Sequence, residues 1–311
     1  MLSFKKVLTL VAVFAALTCF FYLGLSKLAD KKLPKSNDRT SKINQSEKKR
    51  KKTQVKLVAL GDSLTQGVGD TTQNGGYVYL VKQVLEKRLD ATVVTENYGK
   101  AGDRSDQIMK RLQQQETQQN ALKKANVITM TVGGNDLMQT LQKNFNSLSS
   151  NQLASFMPTA QRTYSHKLDE LLRTIRSYNS HAPIFLYTVY NPFYVYFPAL
   201  TQLQKYTEQW NMIAQQKTAK NKNVYVVNVE KRLSEGQYYD HGSTLKETTV
   251  TDYNNLSGQK LSKILSNQKE KNNYLSPADH FHPNLKGYKY MAAKLYQVMI
   301  KHKEKWLKEG G

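Results

Sequence analysis

A serine near one end of this sequence, and an aspartate with two histidines near the other, are the residues with which it could do covalent chemistry. Ser63 stands in the run Leu57-Val58-Ala59-Leu60-Gly61-Asp62-Ser63-Leu64-Thr65-Gln66-Gly67, just past an apolar stretch and between two glycines. A serine hydroxyl is a weak nucleophile that needs a base beside it, and the base needs a third group to orient it. The best source is Ser276-Pro277-Ala278-Asp279-His280-Phe281-His282-Pro283. Asp279 and His282 are three residues apart, so the carboxylate can accept from one imidazole N–H within a single turn. That would hold the tautomer and stabilise the imidazolium formed when His282 takes the Ser63 proton. His280 is the rival base, but it adjoins Asp279 and needs a less natural geometry. His166, His181, His241 and His302 read as surface or packing residues without an acidic companion at useful spacing.

Acyl transfer also needs preorganised donors for an oxyanion. Asn135, in Gly133-Gly134-Asn135-Asp136, offers a side-chain amide after a β-branched run. Gly102, in Asn97-Tyr98-Gly99-Lys100-Ala101-Gly102-Asp103, precedes a helix start whose backbone N–H groups are free to face an anion. Taken singly, each residue also fits an ordinary role: Ser63 as a helix cap, Asn135 as a turn residue, Gly102 as a site of positive φ. Asp279, His280 and His282 as metal ligands form a competing reading, which lacks a clear fourth ligand and the spacing of zinc motifs. No Gly-Lys-Ser/Thr follows Ser63, which excludes a phosphate-cradling loop, and Asp62 departs from the Gly-x-Ser-x-Gly elbow.

These residues need a scaffold that brings distant segments together. Strand patterns at Val55–Leu60, Val93–Tyr98, Asn126–Val132, Pro183–Val189 and Asn223–Val229 alternate with helical ones. The helical spans are Gly76–Leu89, Ser105–Glu116, Thr159–Tyr178, Thr201–Ala219 and about Asn284 to Trp306. Alternation of this kind predicts parallel βαβ units, and continuous apolar strands predict a sheet covered on both faces. The expectation is a single three-layer, doubly wound α/β domain over residues 54–311, with reactive groups at the carboxyl ends of its strands.

The N-terminal sixth is different. The chain has 311 residues and a formal net charge of +22. Val7–Leu25 is uncharged and apolar, and at 1.5 Å per residue it reaches roughly 28 Å, about a bilayer's hydrocarbon thickness. Residues 1–29 therefore read as one N-terminal transmembrane helix, an uncleaved signal anchor, with a cleaved signal peptide and a lipidated Cys19 as the competing readings. Residues 30–53 form a basic, polar tether ending in Lys48-Lys49-Arg50-Lys51-Lys52, too poor in apolar residues to order itself. The tether suits contact with anionic lipid or wall polymer. Without interleaved aromatics it does not suit nucleic acid. The expected location is the cell membrane, single-pass, with the catalytic domain extracytoplasmic. The lone cysteine falls in the apolar run and leaves no disulfide framework.

Ser63 in Gly-Asp-Ser-Leu-Thr-Gln-Gly, Gly102, Asn135 in Val-Gly-Gly-Asn-Asp, and His282 in Asp-His-Phe-His-Pro together resemble the four markers of the SGNH (GDSL) hydrolase superfamily. The match spans about residues 55–300 and is most similar to the YpmR-type lipase/acylhydrolases of Gram-positive bacteria. The resemblance implies a flavodoxin-like fold and a mechanism without metal or cofactor. In it Ser63 is the nucleophile, His282 the base, Asp279 its orienter, and the Ser63 and Gly102 N–H groups with the Asn135 amide form the oxyanion hole. It implies esterase or lipase action on acyl esters of lipids or on small esters. An O-acetyl esterase acting on cell-wall glycan and a non-catalytic surface binding protein are the alternatives. The aromatic run Tyr190–Pro198 reads either as a wall over the acyl site or as an ordinary packing loop.

Overall fold

A computed structural model of the chain describes residues 53–89, 91–143, 152–198, 201–241, 245 and 269–307. All of them belong to one of two compact units, Lys52–Asn254 together with Gln268–Gly311. The other unit, Met1–Lys51 with Asn255–Asn267, lies outside the described residues, and so do the expected anchor Val7–Leu25 and the Lys48–Lys52 run. Among the described residues no helix is long and apolar enough to cross a membrane.

The elements run β1 (Gln54–Gly61), α1 (Ser63–Gln66), α2 (Gly76–Leu89), β2 (Thr92–Gly99), α3 (Ser105–Gln114) and α4 (Glu116–Lys124). Then follow β3 (Val127–Thr131), α5 (Gly134–Lys143), α6 (Gln152–Tyr178), β4 (Ile184–Tyr187), α7 (Thr201–Lys220), β5 (Val224–Val227), α8 (Glu230–Glu235) and α9 (Leu285–Lys301). The five strands pair in the order β2-β1-β3-β4-β5, every pair parallel. Period-two alternation sends Val58, Leu60, Ile128, Met130, Ile184 and Leu186 into the layer with α3 to α7. Their neighbours Leu57, Ala59, Phe185, Tyr187 and Val227 enter the layer with α2 and α9. The inner strands β1, β3 and β4 are covered on both faces, which is why they read as largely apolar runs, whereas the edge strand β2 is half exposed.

Register does the positioning. Gly61 of β1 is level with Gly99 of β2 and with Thr131 of β3. The three loops that leave these residues therefore start side by side at one edge of the sheet.

Three element expectations needed adjustment. The helix over Ser105–Glu116 is two helices, because Gln115 adopts extended backbone (φ −114°, ψ 104°) and α4 starts afresh beyond it. The long helix begins at Gln152, with Pro158 inside it. Met157, buried beside that proline, and Phe156 pack on the core and favour continuing the helix despite the lost N–H. The segment after β1 is a one-turn helix capped by Asp62, whose carboxylate accepts from the Leu64 N–H at 3.0 Å. Ser63 is thus not the cap but the first helical residue.

Candidate active site

The site is built upward from the end of β1. A hydroxyl cluster underlies the turn: Thr65 Oγ1 donates to the Leu60 carbonyl at 3.1 Å and lies 3.0 Å from the Tyr77 hydroxyl and 2.8 Å from Thr131 Oγ1. Thr131 Oγ1 in turn donates to Asp62 Oδ1 at 2.7 Å. Burial pushes the Asp62 carboxyl above its ordinary range, opposed by the Thr131 and Leu64 hydrogen bonds. The turn is therefore fastened to β1, β3 and α2, and Ser63 stands on it nearly buried.

The second half of the site comes from the chain just before α9. Asn284 caps that helix, accepting from the Lys286 and Gly287 N–H groups, and the Ser276 N–H donates to the His282 carbonyl at 2.7 Å. These bonds close the Ser276–Pro283 turn on itself, and Gly69 in the loop after α1 packs closely against Pro283 and His282. His282 Nε2 lies 2.8 Å from Ser63 Oγ, and Nδ1 lies 2.8 Å from Asp279 Oδ2. The other oxygen of Asp279 accepts from the Phe281 and His282 N–H groups, each at 2.9 Å. Burial works to raise the Asp279 carboxyl. The His282 side chain and these two amides outweigh it and hold the carboxyl below its ordinary value. His282 itself is wholly buried, so an ionised partner on Nδ1 fixes which nitrogen faces the serine.

The structure settles the geometry of the rival histidine as well. His280 sits in the left-handed region (φ +55°) and turns its ring away from Ser63, with Nδ1 on the carboxylate of Glu270 and 3.0 Å from the Tyr196 hydroxyl. Nothing in the polar run around Glu270 signalled that contact. The expectation that no other histidine has an acidic companion needs correction. His166 lies 3.3 Å from Glu170, one turn along α6, in an exposed pair that i,i+4 spacing alone would have indicated.

Of the two further expected oxyanion donors, Asn135 lines the same cleft as Ser63, and Gly102 lies in the loop leaving β2, whose end is level with that of β1. Gly102 has φ +82°, and a Cβ built on it meets no atom within 4 Å, so the space beside its Cα is open. Gly99, by contrast, packs its Cα against Thr65 and Gln66, and a Cβ there would come within 2.1 Å of the Gln66 nitrogen. No described residue accepts from the Gly102 N–H or from the Ser63 N–H at the start of α1. Asn135 Nδ2 donates to the Asp103 carbonyl at 2.9 Å, leaving its second hydrogen for a ligand. Next to it, Asp136 accepts from the Ser105 N–H (3.0 Å) and hydroxyl (2.6 Å). Arg111 joins the Asp103 carboxylate to the carbonyls of Tyr98 and Gly61. Sequence reasoning missed this bracing, although Asp136 directly follows Asn135.

A solvent-open cleft extends from Ser63 and Asn135. Leu137, Met138 and Leu141 of α5 form one wall, and Val189, Phe193 and Leu203 stand among the residues opposite. The aromatic run contributes both wall and packing. Phe193 and Phe281 lie in the lining, whereas Tyr196 and Phe197 are buried behind it. The Tyr190 hydroxyl donates to the Phe281 carbonyl at 2.6 Å, tying this run to the turn that carries His282.

A protein of Bacillus subtilis (strain 168) designated YpmR is 29% identical over 250 residues, covering 80% of this chain and 83% of its own. The spore germination lipase LipC of Bacillus licheniformis is 29% identical over 157 residues, 50% of this chain and 72% of that protein. The crystal structure of the lipase Lip_vut3 from a goat rumen metagenome shares the fold, with a TM-score of 0.57 at 24% identity over 78% of this chain and 97% of that one. The GDSL-like Lipase/Acylhydrolase family matches residues 59–290, so the chain belongs to that family and is an ester hydrolase.

Proposed function

We propose that the chain is a membrane-anchored, extracytoplasmic serine hydrolase of acyl esters, working through Ser63, His282 and Asp279. The observation that carries this reading is the hydrogen-bonded line from Ser63 Oγ through the imidazole of His282 to Asp279, each step 2.8 Å, between residues 219 apart in sequence. Ser63 Oγ attacks the ester carbonyl carbon while its proton passes to His282 Nε2. The Ser63 and Gly102 N–H groups and the Asn135 amide receive the oxyanion. Collapse breaks the bond to the alkoxy oxygen, and His282 protonates the departing alcohol. Water then attacks the acyl–serine ester, giving a proton to His282, and the carboxylic acid leaves as that proton returns to Ser63.

The exposed surface of the cleft is mainly hydrocarbon, which favours a fatty acyl chain over a glycan ring. Similarity to a protein named a spore germination lipase supports the same reading. The anchor rests on Val7–Leu25, and the basic run Lys48–Lys52 farther along the sequence suits anionic lipid or wall polymer. Ser63→Ala tests the chemistry: hydrolysis of p-nitrophenyl butyrate is expected to vanish with the melting temperature retained. Turnover persisting in that variant refutes Ser63 as nucleophile. The anchor is tested by fractionation. The full chain should remain with membranes after high-salt washing, and removal of residues 1–29 should release it.

A further inference from the structure

The turn between Asp279 and His282 contains a residue that the hydrolytic steps do not use and that the backbone does not favour. His280 has φ +55°, a region that side-chain-bearing residues other than Asn, Asp and His seldom occupy. Its imidazole is buried in a polar cluster of its own. Its Nδ1 meets the Glu270 carboxylate and the Tyr196 hydroxyl. Both the Glu270 and Tyr196 side chains are nearly inaccessible to solvent. The cluster is anchored by backbone: Glu270 Oε1 accepts from the Asn272 N–H at 2.6 Å, and the Tyr196 hydroxyl accepts from the Lys271 N–H at 3.2 Å. Asn272, fully buried, donates onward to the Leu233 and Ser234 carbonyls. A buried carboxylate left without its partner is costly, so Glu270 holds the ring of His280 in one place.

The left-handed backbone at His280 is what turns the next two amides, Phe281 and His282, back onto Asp279 Oδ1. Two carboxylate–imidazole pairs therefore meet in one turn, that of His282 facing Ser63 and that of His280 facing away. Tyr196 belongs to the same loop as Phe193, whose ring lies 6.4 Å from that of Phe281.

We propose that His280 is a positioning residue for ester hydrolysis. Held by Glu270 and Tyr196, it clamps the turn in the form that aims Asp279 at His282 and joins that turn to the wall of the cleft. The proposal rests on the catalytic roles given above for Asp279 and His282, and it adds a residue pair that acts through them.

The test uses the full chain and two readouts. The first is kcat and KM for p-nitrophenyl butyrate in His280→Ala, Glu270→Ala, their double variant and Glu270→Gln. Each alanine variant should lower kcat by about tenfold to a hundredfold, the range expected when a catalytic group is slightly misplaced. KM should change less than about twofold, because no substrate contact is removed. The double variant should lose no more than either single one, as coupled partners do. Glu270→Gln, which keeps a hydrogen-bonding group, should recover most of the rate. The second readout is the low-field proton resonance of the Nδ1–H that His282 shares with Asp279, expected to broaden or move upfield in both alanine variants. It is recorded without substrate, so it tests the clamp even if wild-type protein hydrolyses none of the esters offered. Where an alanine variant fails to fold, Tyr196→Phe replaces it and should show the same changes in weaker form. A kcat within twofold of wild type together with an unmoved resonance overturns the proposal, and so do additive losses in the double variant.

Discussion

The side-chain amide of Asn135 donates to the main-chain carbonyl of Asp103 across the gap between the β2 and β3 loops, at 2.9 Å. One hydrogen is used to fix the direction of the other, which is how a donor is preorganised for a charge that exists only in the transition state. Asn135→Ala is expected to lower kcat by about a hundredfold to a thousandfold, with a small change in KM. Asn135→Asp, nearly isosteric but without a donor, should do no better. Steady-state kinetics on the two variants decide the matter: a loss expressed mainly in KM would mean that Asn135 binds the ester rather than its oxyanion.

Ser105 and Asp136 lock together the two loops that carry these donors. Burial raises the Asp136 carboxyl, and the Ser105 hydroxyl and N–H oppose that rise. A folded-state value above the unfolded one means that stability is greatest at low pH and declines as pH climbs through the window between the two. Ser105→Ala removes a donor that chiefly serves the ionised form. The variant should lose about 1–3 kcal/mol, more at pH 8 than at pH 5. Denaturant unfolding at the two pH values measures the difference, and an equal loss at both would contradict the assignment.

Asp279 presents the opposite sign. Its folded-state value lies below the ordinary one, so its contribution to stability is present at neutral pH and fades as pH falls through the folded value. Asp279→Asn should destabilise the protein at pH 7, and the gap to wild type should begin to narrow only below about pH 4 and close as pH falls through the lower folded value. Its effect on turnover should be far larger, on the order of ten-thousandfold, because the wrong imidazole tautomer then faces Ser63.

The cleft predicts a preference for chain length. If Leu137, Met138 and Leu141 hold the acyl group, each added methylene is worth about 0.8 kcal/mol, or about fourfold in kcat/KM, until the wall ends. A p-nitrophenyl ester series from acetate to decanoate on the full chain should therefore rise and then level. Leu141→Trp should move the plateau to shorter chains. A profile that falls steadily from acetate would favour the acetyl-ester alternative.

Much of the fold and the core of the site were legible in sequence, and for a local reason. Asp279 and His282 need only one turn to meet, and Gly61, Gly99 and Thr131 end strands whose apolar runs are visible by composition. What joins them was not legible. The Asn135–Asp103 and Asp136–Ser105 bonds depend on the register of β1 with β2 and β3, which no single segment encodes. Glu270 lies in a polar stretch indistinguishable from a solvated loop, and only the positive φ of His280 turns the two toward each other. Ser63 as cap was a reasonable expectation for a serine after a strand. Asp62 took that role because its carboxylate also satisfies Thr131 from the neighbouring strand.

The 219 residues between Ser63 and His282 also set a clock. At ribosomal speeds of about 5–20 residues per second, the hydroxyl is synthesised roughly ten to forty seconds before its base. During that interval the nascent chain carries an ordinary, unreactive serine. If His282 is the base proposed above, a chain cut short before residue 282 is expected to be inert rather than weakly active.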